Sequence, residues 1–159
     1  MAAAAPQDAL ETLLAQGLSL VMASVDASGH PQVSHIPFAR FDGGFFVWVS
    51  DLAGHADPLR RSAPVEVMIL AEESETRQVY ARRRASWQCT VQAVADETRV
   101  AEGLAALKAR HGEVVSLLAG LGDFRGFILT PSTGRLVLGF GQAYPLTGLA
   151  VTGGPIQGR

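Results

Sequence analysis

"SLVMASVDASGHPQVSHIPFARFDGGFFVWVSD", Ser19–Asp51, changes the period of the chain and decides its fold class. Three apolar runs rich in Val, Ile, Phe and Trp are broken by Asp26-Ala27-Ser28-Gly29 and by Asp42-Gly43-Gly44. Both breaks carry turn chemistry, since aspartate bonds its own backbone and glycine accepts positive φ. The stretch therefore reads as a three-stranded antiparallel meander.

Upstream lies "MAAAAPQDALETLLAQGL", whose alanines look like a leader. Its first residues carry no Lys or Arg, and Asp8, Glu11 and Gln16 interrupt any continuous apolar run. Leu10, Leu13 and Leu14 mark one helical face, so residues 1–17 read as a short amphipathic helix rather than an export signal. No apolar run approaches the roughly 20 residues needed to span a bilayer, which argues against a membrane partner.

Downstream, "LAGHADPLRRSAP" has room for one or two helical turns, and "VEVMILA" reads as a strand buried on both faces. The acidic turn Glu72-Glu73-Ser74-Glu75 leads into a strand, "RRASWQCTVQAV". Asp96 is placed to N-cap "ETRVAEGLAALKARH", in which Val100, Leu104 and Leu107 form one stripe and after which Gly112 closes the helix. "EVVSLLAGL" suits a further short helix. "FRGFILTP" and "RLVLGFGQAY" read as strands around a hairpin turn at Ser132-Thr133-Gly134, and residues 147–159 as a tail. Strands outnumber helices and hairpin links dominate. The expected class is mainly β (α+β): a small, closed or partly open antiparallel barrel with peripheral helices. The 159 residues contain no repeat or linker and fit one domain, 1–159.

Composition narrows the function. A hydrophobic fraction of 48% with only 18% charged residues leaves a thin polar surface and favours an oligomer. A net charge of −2, from 13 Lys+Arg against 15 Asp+Glu, provides no basic field for nucleic acid. Cys89 stands alone, which excludes an internal disulfide framework and a zinc constellation, so no metal ligands are assigned and a reducing cytoplasm is the simplest compartment.

Individual residues have bland readings as well as sharp ones. Gly139-Phe140-Gly141 resembles part of a phosphate loop, but the third glycine of a dinucleotide fingerprint is missing, and Pro145 and Gly148 oppose a following helix. Those glycines read as backbone shaping at a sheet rim. Arg82-Arg83-Arg84 opens a strand, so its members alternate between faces; they are solvated edge charges, or one or two of them grip a phosphate or propionate. His30 falls in a turn, and His111 at a helix end suits the dipole. Cys89, Trp48 and Trp87 read as core or interface residues.

Five segments, "VDASGHPQVSHIPFA", "FFVWVSDLAGHADPLRRSAPVEVMIL", "RQVYARRRASW", "GDFRGFIL" and "RLVLGFGQAYPL", occur in order from about Leu18 to Leu146. Together they resemble the heme-utilisation branch of the pyridoxamine 5′-phosphate oxidase-related, FMN-binding split-barrel superfamily. The resemblance implies a homodimeric split β-barrel with two cofactor clefts at the subunit interface.

It also implies sites. The flavin of FMN-binding relatives lies along the strand matched by Ser34, His35, Ile36 and Pro37, and its ribityl phosphate reaches positions matched by Val49, Ser50, Gly54, His55 and Ala56. The oxidase carries basic residues where this chain has Ser34 and Ala56, so Arg82, Arg83, Arg84 or His55 would have to compensate. Gln142 and Tyr144 are further contacts to a ligand or partner chain. The expected function is an FMN-dependent oxidoreductase acting on a small molecule, in which the protein positions the flavin and excludes water. The alternatives are a heme-binding or heme-degrading protein and a non-catalytic cofactor-binding module. Heme-degrading relatives ligate iron through a histidine beyond the GFGQAY stretch; this sequence has none after His111, which leaves His35 or His55. Asp123 matches an acidic residue placed near the iron in relatives, although aspartate before a strand is also common turn chemistry.

Overall fold

The computed structural model describes residues 5–157. The helix expected over residues 1–17 is seen from Pro6, and residues 1–4, like the last two of the tail, lie outside the described residues. Helix α1 (Pro6–Gln16) starts with proline at its first turn, where a missing N–H costs nothing, and buries Ala9, Leu10, Leu13 and Leu14. The chain continues through β1 (Ser19–Val25), β2 (Pro31–Pro37), β3 (Ala39–Phe41), β4 (Gly44–Ser50), α2 (Ala56–Arg60), β5 (Val65–Leu70) and β6 (Arg84–Val94). It ends with α3 (Glu97–His111), α4 (Val114–Ala119), β7 (Phe124–Gly139), β8 (Gln142–Thr147) and β9 (Ala150–Val151). Every ladder is antiparallel, in the order β2-β1-β5-β6-β7-β4-β3, with β8 on β7 and β9 on β8. No helix among the described residues is long and apolar enough to cross a membrane.

The three-stranded meander expected over Ser19–Asp51 is not formed. β1 and β2 pair as a hairpin at one end of the sheet order, whereas β3 and β4 form a second hairpin at the other, with β4 paired to β7. The reason is Phe38. Pro37 ends β2 without an N–H to offer, and the next ring is fully buried against Phe45, with centroids 5.3 Å apart at 78°. The chain crosses the barrel at that point instead of turning back. β2 and β4 thus come to lie side by side with no ladder between them, and this seam is the split in the barrel.

Two other expectations are corrected. β5 is not buried on both faces: Val65, Val67 and Ile69 point inward while Glu66 is exposed and Met68 half-buried. Ser132-Thr133-Gly134 is not a hairpin turn but the middle of the 16-residue strand β7. A Cβ on Gly134 would stand 2.2 Å from the Ser86 carbonyl oxygen and 2.6 Å from the Trp87 ring, so glycine is there for close approach beside the irregularity between Trp87 and Cys89. The actual turn is at Phe140-Gly141, with Gly141 at φ 66°. Gly134→Ala is expected to destabilise the fold by about 3 kcal/mol, because a backbone oxygen must move, and a shifted denaturant midpoint would show it.

The barrel interior holds Trp87, Phe38, Phe45, Leu20, Met22, Ile69 and Leu129, closed at one end by Leu10 and Leu14 of α1. Cys89 belongs to the same core, where burial pushes its thiol up to about 12, far from a reactive thiolate. A second core lies outside the barrel, where Phe46, Val94 and Ile128 meet Leu107 of α3 and Val115 of α4. Asp96 caps α3 as expected, its side chain accepting from the Arg99 N–H at 2.9 Å, and Gly112 closes it at φ 81°. Arg110 fastens α3 to the barrel, donating to the carbonyls of Leu14, Ala15 and Gly17 and lying over the Phe38 ring.

Candidate functional site: an apolar cleft at the barrel seam

The seam between β2 and β4 opens into a cleft of about 480 Å³, within the range of small-molecule sites. One wall is strand: His35, Ile36 and Pro37 from β2, and Trp48, Val49 and Ser50 from β4. The other is helix: Leu107 and His111 from α3, and Val114, Val115 and Leu118 from α4. Ala53 and His55 line it from the loop before α2, and Phe124 from the start of β7. No Lys or Arg is among these lining residues.

Hydrogen bonds hold the walls in register. The Trp48 indole Nε1–H donates to the Leu118 carbonyl at 3.1 Å, and its ring stacks on Phe124 with centroids 6.3 Å apart. Ser50 Oγ donates to Asp123 Oδ2 at 2.8 Å and accepts from the Leu52 N–H at 3.1 Å, while the Asp123 carbonyl accepts from the Asp51 N–H at 2.7 Å. Asp123 therefore has the turn role that its position suggested and also holds Ser50, which lines the cleft. Behind it, Asp51 accepts from Arg125 at 3.0 Å and Arg60 at 3.2 Å. The Arg125 hydrogen bond is the main reason that the Asp51 carboxyl stays below the usual carboxylate range. Both arginines at Asp51 are thus engaged.

The three imidazoles of the cleft differ. His111 Nε2 faces the Phe38 carbonyl oxygen at 3.0 Å; a carbonyl only accepts, so this nitrogen carries the proton. His35 lies on the exposed side of β2, paired with Val21. His55 is half-buried, and loss of solvent lowers its pKa from the ordinary 6.5 and favours the neutral ring.

Of the residues picked out in the sequence, His35, Ile36, Pro37, Val49, Ser50 and His55 come together here. Ser34, Ala56 and Gly54 do not line it: Ser34 pairs with Met22 of β1, Ala56 is buried at the start of α2, and Gly54 packs near Gln32. Arg83, Arg84 and Gln142 lie at the far end of β7. Arg84 opens β6 and donates to the Arg82 carbonyl at 2.8 Å; Gln142 pairs with Gly139; Arg83 lines a separate groove with Leu138 and Phe140. Only Arg84 of the three arginines is in the strand, so the expected alternation of the run does not occur. The helical wall escaped sequence reading. Its one signal was α4 itself, "VVSLLA", which is apolar on more sides than a helix packed on one side needs: Val114 and Leu117 remain exposed.

The profile of the pyridoxamine 5′-phosphate oxidase family matches residues 6–138. The chain belongs to that family. A curated member, the protein of Vibrio cholerae named heme oxygenase HutZ, is 37% identical over 131 residues, which is 82% of this chain and 74% of the relative. The crystal structure of HutZ, described as a heme storage protein, superposes with a TM-score of 0.77 at 29% identity, over 84% of this chain and 96% of that one. Campylobacter jejuni ChuZ superposes with a TM-score of 0.84 at 24% identity, over 92% of this chain and 61% of its own, and shows the shared fold alone.

Proposed function

We propose that this chain is a heme-binding protein and that the seam cleft takes the macrocycle. The observation that carries this reading is the cleft's chemistry: apolar walls, the aromatic rings of Trp48 and Phe124 and three imidazoles. A flat apolar ring system needs such walls, and its iron needs a nitrogen donor. The 37% identity to a protein named as a heme oxygenase supports the same ligand. When bound, heme supplies the redox and oxygen chemistry of its iron. The chain's own part is to exclude water with Ile36, Val49, Val115 and Leu118 and to offer imidazole nitrogen.

The flavin reading is the second, favoured by the β2 strand running along the cleft. An FMN phosphate needs cationic or several hydrogen-bonding partners. Within one chain Ser50 Oγ already donates to Asp123, and Arg83 and Arg84 are at the other end of β7. FMN would therefore require those arginines from a second copy. We propose a homodimer on separate grounds. β1, β2 and β5 present Val21, Ala23, Val33 and Met68 on one outward face, and Val33 is 74% exposed.

The deciding experiment is titration of the purified protein with hemin and, separately, with FMN, followed by absorption and flavin fluorescence. The expected result is a saturable Soret shift with hemin and no saturable quenching of FMN. Saturable FMN binding with only a free-hemin spectrum would replace this reading with the flavin one. Failure of both ligands would leave the non-catalytic module. Sedimentation or light scattering gives the mass in solution, and a monomer would overturn the dimer.

A further inference from the structure

We infer that His55 is the residue through which the cleft ligates iron. This inference rests on the heme reading and adds to it the identity of the donor, which the sequence left open between His35 and His55 and which the structure widens to include His111.

The choice follows from what each imidazole is already doing. A bulky macrocycle approaches the Nε2 side of a histidine most easily, because Nδ1 adjoins the Cβ branch. In His111 that Nε2 is protonated and committed to the Phe38 carbonyl at 3.0 Å. Freeing it would leave a carbonyl at the β2–β3 crossing without its partner. His35 projects from the exposed side of β2, the face that also carries Val33, whereas His55 is half-buried.

His55 has neither commitment. Its ring has no hydrogen-bond partner among the described residues, it lines the cleft, and it is half-buried. With no hydrogen-bond partner, a ring nitrogen of this imidazole is free to offer its lone pair into the cleft. The backbone around it is fixed. The Ala56 N–H donates to the Ala53 carbonyl at 3.0 Å, the Leu59 N–H donates to the His55 carbonyl at 3.4 Å, and Ala56 and Leu59 are buried. Ala53, small and half-buried, lines the cleft two residues before it.

The test uses the full chain loaded with one equivalent of hemin. Wild type, His55→Gly, His55→Gln, His35→Ala and His111→Ala are compared by resonance Raman and electron paramagnetic resonance, with circular dichroism confirming the fold of each. The expected result is a histidine-ligated spectrum in wild type, His35→Ala and His111→Ala. Both His55 variants should lose it, with hemin affinity at least about tenfold weaker. Millimolar imidazole should restore the signature in His55→Gly, which has space for it, and not in His55→Gln. A histidine signature that persists in folded His55→Gly, or that disappears in folded His35→Ala or His111→Ala, overturns the assignment while leaving heme binding in place. A wild-type protein that shows only free hemin overturns the heme reading and this inference with it.

Discussion

Alanine in place of Trp87 is expected to cost about 3–5 kcal/mol of folding free energy and to lower the urea midpoint by roughly 2 M. Trp87 has 0% exposure and sits where β6 faces β5 and β7 inside the barrel. Its ring packs on Phe45 with centroids 5.4 Å apart, and the neighbouring strand comes close enough that only glycine fits at position 134. Its Nε1–H donates to the Gly148 carbonyl at 2.8 Å, which ties the β8–β9 turn to the core. Alanine would remove the apolar volume and leave that carbonyl without a donor. Trp87→Phe separates the two effects, since it keeps most of the volume; it should cost about 1–3 kcal/mol. A loss below about 1 kcal/mol for the alanine variant would mean that this ring does not organise the barrel.

What the sequence showed and what it hid divide along the range of the interactions. The Asp96 cap and the Gly112 stop are set by residues a few positions apart, and both were legible. Gly134 was misread because glycine serves both turns and close approaches, and only the Ser86 carbonyl 48 positions upstream distinguishes them. Phe38 was passed over as one more apolar residue in a meander, although its burial makes the chain cross between the two ends of the sheet.

The candidate site follows the same rule. The resemblance located its strand wall at His35–Pro37 and Val49–Ser50, and the fold places those positions along one seam. The helical wall comes from Leu107 to Leu118, brought in because Phe46 and Ile128 need cover on the outside of the barrel. No periodicity within α3 or α4 encodes that meeting. His111 illustrates it: the helix end predicted a charge–dipole role, whereas the structure adds a hydrogen bond to Phe38, 73 residues earlier, and a place in the cleft.

The largest expected effect on binding comes from filling the cleft at its loop side. Ala53 lines it between Ser50 and His55, is only half-buried, and has its N–H held by the Ser50 carbonyl at 3.1 Å. Tryptophan there adds a bulky ring at the opening without displacing the cores built on Trp87 and Phe46. Stability should change by no more than about 0.5–1 kcal/mol. Hemin affinity should fall at least about tenfold, equivalent to about 1.4 kcal/mol, because the indole and the macrocycle compete for one apolar slot. Val79→Trp is the control: Val79 is 55% exposed and lies outside the cleft lining, so the same bulk there should leave affinity unchanged. Loss in Ala53→Trp alone ties binding to the seam. Equal affinity in both variants would mean that hemin occupies another surface, and equal loss in both would point to nonspecific adsorption on exposed apolar residues such as Leu52 and Phe140.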